Sequence, residues 1–154
     1  MKPRQPLSMS RSQTKDPKSV TIIPGLNIQW PWSELLLSGK KTVETRSYAI
    51  PEKYLQRKLA IIETPGPRGK RDAGIVEARV IGTITFSRCF RYASEREWLN
   101  DFERHSVSPS DSIFAYTPGK EKWGWLVVDC ERFEQPMPAP KRRGIVFATE
   151  CIVR

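Results

Sequence analysis

Apolar and polar residues alternate with the period of a strand over most of the chain. Leu26 and Ile28 are the inward positions of a first strand within Thr21 to Gln29, entered through a turn at Pro24-Gly25. Lys58 to Thr64 is a run of branched residues that predicts a buried strand. Val76, Ala78, Val80, Ile84 and Phe86 nearly alternate through residues 75–88, predicting a long strand bent at Gly82. A further strand from Gly119 to Phe133 puts Trp123, Trp125, Val127 and Asp129 on one face, and Ile145 to Val153 closes the sheet. Between them, Leu35, Leu36 and Leu37 follow Pro31 as a short helix stopped by Gly39. Ser94 to Glu97 has capping-box spacing ahead of a second short helix whose apolar stripe is Trp98, Leu99 and Phe102. Pro65 to Gly74 reads as a mobile basic loop, Ser108 to Ser112 as a turn or cap, and Ile113 to Tyr116 as a strand or helical turn. Pro136 to Pro140 reads as an extended connector and Lys141 to Gly144 as a second basic turn. This pattern predicts an α+β, mainly β architecture: a small β-barrel with short flanking helices.

Candidate chemistry concentrates in Gln29 to Tyr48, where helix, glycine stop and charged strand follow one another without spacer. From Lys41 the alternation places Thr42, Glu44 and Arg46 on one strand face, so a carboxylate and a guanidinium lie side by side. An ordinary surface ion pair would have the same spacing. Trp123 and Trp125, beside Lys120 and Lys122, have the composition of a stacking platform for a base and equally that of core filling.

The 154 residues suffice for one domain with a tail. Met1 to Val20 is rich in Pro, Ser and Gln, with five Lys or Arg against the single Asp16, and is expected to be a disordered basic tail preceding a domain at 21–154. The formal charge of +9 favours an anionic partner. No apolar run is long enough to cross a bilayer and no secretion signal is legible, so a soluble, cytoplasmic protein is expected. Cys89, Cys130 and Cys151 are widely spaced and His105 is the only histidine, so neither a disulfide framework nor a metal site is expected, and nothing calls for a cofactor.

Gly39, Lys41, Glu44 and Arg46 match the GxKxxExR signature of the ASCH domain family, which has a PUA-like β-barrel fold. The helix before it, the Lys122 to Val127 strand and Arg143-Gly144 after a Pro-rich turn are also similar to what such domains carry, over about Leu26 to Val153. The resemblance implies that the signature lines a cleft at the barrel opening and that the protein binds RNA or acts in RNA-linked processes. Some family members hydrolyse N4-acylated cytidines and some are described as ribonucleases. In the amidohydrolase branch a threonine nucleophile stands three positions after the signature lysine; here that position is Glu44. The branch's further acid would fall near Asp101 or Glu103.

Three functions are expected from this combination. The first is binding of RNA or a nucleotide-like ligand. Lys41 and Arg46 would attract phosphate, Glu44 would read an amino or hydroxyl group, and Trp30, Trp32, Trp123 or Trp125 would stack on a base, with Lys40, Tyr48, Lys122 and Arg143 completing the surface. The second is a small hydrolase, a ribonuclease or an N4-acylcytidine amidohydrolase, with Lys41 and Glu44 as acid and base and Arg46 stabilising negative charge. The third is a protein-interaction adaptor with a basic surface.

Overall fold

A computed structural model describes residues 20–154. The tail expectation for 1–20 therefore lies almost entirely outside the described residues, and Val20 is exposed. The described chain runs β1 (Thr21–Gln29), α1 (Trp32–Leu37), β2 (Val43–Arg46), a 3-10 turn (Glu52–Tyr54), β3 (Leu59–Thr64) and α2 (Gly66–Asp72). It continues through β4 (Arg79–Arg91), α3 (Glu95–Asn100), α4 (Phe102–His105), β5 (Trp123–Pro138) and β6 (Phe147–Val153).

The strands form one mixed sheet in the order β2-β5-β4-β3-β1-β6. β1 and β3 are parallel and every other pair is antiparallel. The expected barrel is not closed: β6 pairs with β1 and β2 with β5, and no ladder joins β2 to β6. Bulges bend the sheet instead. One lies at Ile23 to Gly25, where the sequence had suggested a turn, and others lie at Gly82 and around Phe86 on β4. At Gly82 a Cβ would stand 2.3 Å from the Glu131 carbonyl, so only glycine admits that approach. Arg46 spans the resulting gap between β2 and β1, donating from Nη2 to the Asn27 carbonyl at 2.9 Å.

Three connections differ from expectation. Residues 66–72 form the short helix α2 rather than a loop, started by Pro65 and packed through Gly69 against Trp30. β5 continues through Pro138 instead of ending before the prolines. β2 covers only its first residues, 123–126, so the far half of β5 is an edge on that side, where Pro136 and Pro138 need no ladder donor. The second helix breaks at Asp101, which leaves Trp98 buried but Leu99 and Phe102 exposed. Its start is as expected: Ser94 Oγ accepts from the Glu97 N–H at 3.2 Å, and Glu97 Oε2 accepts from the Ala93 N–H at 3.0 Å. Residues 113–116 add no strand; Asp111 Oδ1 accepts the N–H groups of Ile113 and Phe114 and holds them in a turn.

The main core packs Leu26, Ile28, Leu36, Leu59, Ile61, Ile84, Phe86, Trp98 and Trp125 together, and a smaller cluster gathers Ala60, Ile62, Val80, Ala148, Cys151 and Val153. Glu63 is fully buried within the sheet, where Oε1 accepts from Arg79 at 3.0 Å and Oε2 from Ser33 Oγ at 2.7 Å. Its carboxylate thereby anchors the start of α1 to β3 and β4.

Candidate nucleotide-binding cleft

Gly39, at φ +78°, ends α1 in the left-handed region, and its N–H returns to the Leu36 carbonyl at 3.1 Å. The reversal turns Lys41 inward, so its ammonium is buried and donates to the His105 carbonyl at 2.6 Å while lying 5.2 Å from the centre of the Trp32 ring. Burial holds its pKa below that of an ordinary lysine, against the opposing attraction of Glu44. Two residues into β2, Glu44 is also buried and shares a face with Arg46, whose Nε is 3.5 Å from Glu44 Oε1.

These residues line a cleft of about 430 Å³ between the ends of β1, β2 and β3 and the 107–114 segment. Trp32, Tyr48 and Phe114 supply its aromatic walls, Thr45 and Thr64 its hydroxyls, and Ile113 and Ile145 stand exposed on its lips. Lys122 reaches in from the start of β5 and donates to the Phe114 carbonyl at 3.0 Å, its pKa lowered by burial. Arg68 of α2 lies over Trp32 and pairs with Asp111 at 2.6 Å, which fastens the 111–114 turn to α2.

Three cleft residues carry buried side-chain polar atoms with no hydrogen-bond partner: Glu44 Oε2, Asn27 Oδ1 and Trp32 Nε1. Two are acceptors and one a donor. Unpaired polar atoms are costly in a folded interior, and three of the five such side-chain atoms among the described residues belong to residues of this cleft.

Of the residues expected at the site, Trp32, Lys41, Glu44, Arg46, Tyr48 and Lys122 are brought together in the cleft. Trp30, Lys40, Trp123, Trp125 and Arg143 are not among its walls. Trp125 is fully buried and fills the core, donating from Nε1 to the Tyr48 carbonyl at 3.1 Å. Trp123 is half-buried and bonded to Glu121. Lys40 and Arg143 are exposed outside it. Neither Asp101 nor Glu103 lines the cleft, and Asp101 is held by Tyr92 at 2.5 Å and by Arg104. Asn27 and Phe114 were missed. An amide set between two inward residues of a strand was the available signal for Asn27, whereas nothing in its sequence neighbourhood marked Phe114.

His105 supports the cleft without entering it. It is fully buried and stacked on Trp98 at 4.5 Å. The Val107 N–H donates to Nδ1 at 3.0 Å, so Nε2 carries the proton and donates to the Trp98 carbonyl at 2.7 Å. Burial lowers its pKa from 6.5, opposed by the hydrogen bond to the Trp98 carbonyl and by Asp101 and reinforced by Lys41 and Lys122. The fold therefore favours the neutral ring: this stability is fully present above pH 6.5 and is lost as pH falls through the lowered folded value. Thermal melts should show Tm declining as pH drops below 6.5, with a shallower decline in His105→Asn, which keeps an acceptor for Val107 but does not titrate.

The family model described as ASCH domain matches residues 26–137. Among solved structures, the ASCH protein of Zymomonas mobilis is similar with a TM-score of 0.56 at 18% identity, over 74% of this chain and 71% of that one. Two single-substitution variants of that protein are similar at TM-scores of 0.60 (16% identity, 82% and 86% covered) and 0.55 (18% identity, 74% and 73% covered). Identities this low show a shared fold. No curated protein matches by sequence.

Proposed function

Since the chain belongs to the ASCH domain family, we propose that its signature cleft binds one nucleotide unit of RNA or a related nucleoside ligand, base inward. The observation that carries this is the unpartnered Glu44 Oε2, in a cleft whose other buried and unpartnered polar atoms are Asn27 Oδ1 and the Trp32 indole N–H. Such a set suits a planar heterocycle that offers amino hydrogens to the acceptors and a ring acceptor to the donor. Trp32, Tyr48 and Phe114 supply aromatic surface to contact the ring. The volume, about 430 Å³, is at the small end of ligand sites and matches one nucleoside rather than a duplex.

Calorimetric titration with the four ribonucleosides tests this. Cytidine, adenosine and guanosine, which carry exocyclic amines, should bind more tightly than uridine. Equal affinities, or binding of uridine alone, would contradict it.

A second function is favoured by Lys41, whose lowered pKa suits proton transfer: hydrolysis of a phosphodiester or an N4-acylated cytidine with Lys41 and Glu44 as acid and base. A hydroxyl nucleophile three positions after the lysine is absent, because Glu44 stands there. Slow or no release of acetate from N4-acetylcytidine is therefore expected, and rapid Glu44-dependent release would reverse the order of the two functions.

A further inference from the structure

Every cation inside the cleft is already engaged. Lys41 donates to the His105 carbonyl at 2.6 Å and Lys122 to the Phe114 carbonyl at 3.0 Å. Arg46 bonds the Asn27 carbonyl and faces Glu44, and Arg68, over the Trp32 ring, is paired with Asp111. A phosphate entering this space would have to displace those bonds and lie beside the Glu44 carboxylate. The interior thus suits a neutral ring, and phosphate must be met elsewhere.

The 141–144 turn meets that requirement. It is fastened to the cleft wall by Asn27, whose Nδ2 donates to the carbonyls of Gly144 at 2.8 Å and Ile145 at 3.1 Å. The Asn27 N–H also donates to the Val146 carbonyl at 2.8 Å. Two further bonds shape the turn, Gly144 N–H to the Phe147 carbonyl at 3.0 Å and Arg143 Nη1 to the Pro140 carbonyl at 3.2 Å. Arg143 is thereby folded onto its own turn. Lys141 and Arg142 remain exposed, and neither forms an ion pair among the described residues. They precede by four and three residues the lip residue Ile145, which is 97% exposed and offers an apolar surface to a sugar or base edge leaving the cleft, while Lys141 also borders a separate cavity beside β5.

We propose that the cleft is the base pocket of a longer path for a single-stranded polynucleotide, whose phosphates pass over the Lys141-Arg142 turn. This rests on the base-inward function above and adds where the phosphates of a bound strand lie. Arg68, which lies over the cleft's Trp32, is neutralised by Asp111 and so contributes little to phosphate binding.

The test measures binding of end-labelled single-stranded octanucleotides, RNA and DNA, by fluorescence anisotropy at several salt concentrations, alongside nucleoside calorimetry. Wild type is compared with Lys141→Ala/Arg142→Ala, whose exposed side chains can be removed without disturbing the fold. The octamer should bind at least about tenfold more tightly than the best nucleoside at low salt. The double variant should lower the slope of log affinity against log salt by about 1.4, from roughly 0.7 per phosphate contact on a single strand, while nucleoside affinity stays unchanged. A loss shared by RNA and DNA assigns the turn to phosphate; a loss confined to RNA still supports the path and adds a contact to the 2′-hydroxyl. An octamer no tighter than a nucleoside, or an unchanged salt slope, would overturn the path and leave the base pocket standing. Octamer binding that depends on the turn but is indifferent to Glu44→Gln would break the link between turn and cleft. Failure of every nucleoside to bind wild type would overturn the base pocket itself.

Discussion

Trp125→Ala should destabilise the protein by about 3–5 kcal/mol, the range for removing a fully packed large aromatic side chain, and lower Tm by on the order of 10 °C. Trp125 meets Phe86 edge-on at 5.5 Å and Tyr48 at 5.8 Å, and lies nearly parallel to Phe147 at 6.3 Å. Its indole N–H donates to the Tyr48 carbonyl, and the Arg46 guanidinium lies 5.5 Å from its ring. Truncation would open a cavity behind β2 and loosen the strand that presents Glu44 and Arg46. Denaturant and thermal melts measure this. A tryptophan serving as a stacking platform would behave oppositely, losing ligand affinity with a near-wild-type transition. Trp123→Ala, at a half-buried position, should cost less.

The two tryptophans illustrate what the sequence could and could not reveal. Alternation correctly placed Trp123 and Trp125 in a strand, but the face that strand buries is decided by its neighbours. β5 lies between β2 and β4, and the register shifts around Phe86 turn Trp125 into the core. The signature was more legible because its parts are local: a left-handed glycine, a lysine two residues on, then a carboxylate and a guanidinium on one strand face. That Lys41 would be buried and bonded to a carbonyl sixty-four residues away was not legible, since no local pattern encodes that contact. The α2 segment was missed because its Gly and Pro content argues against a helix. Packing of Gly69 against Trp30 and Ile75 outweighs that weak local preference. The barrel was expected from the number of strands, yet closure depends on pairing of the two edge strands, and β2 and β6 do not pair.

Glu44 carries the functional account. Its Oε1 faces Arg46, while Oε2 is buried and unpartnered, so a ligand N–H that reaches Oε2 gains a charge-assisted hydrogen bond. Bonds of this kind are worth about 1.5–3 kcal/mol, corresponding to roughly 10- to 100-fold in affinity. Glu44→Gln nearly preserves shape and removes the charge, so the fold should survive and the loss should fall on ligands with amino hydrogens. Melts of the variant separate the two effects: with Tm close to wild type, any loss of affinity belongs to recognition.

The most direct measurement is the affinity of cytidine and of uridine for wild type and for Glu44→Gln, by calorimetry at pH 7.5. Cytidine should lose at least about tenfold in the variant while uridine changes little, so that the preference between them collapses. Equal losses for both, or undiminished cytidine binding in a folded Glu44→Gln protein, would contradict it.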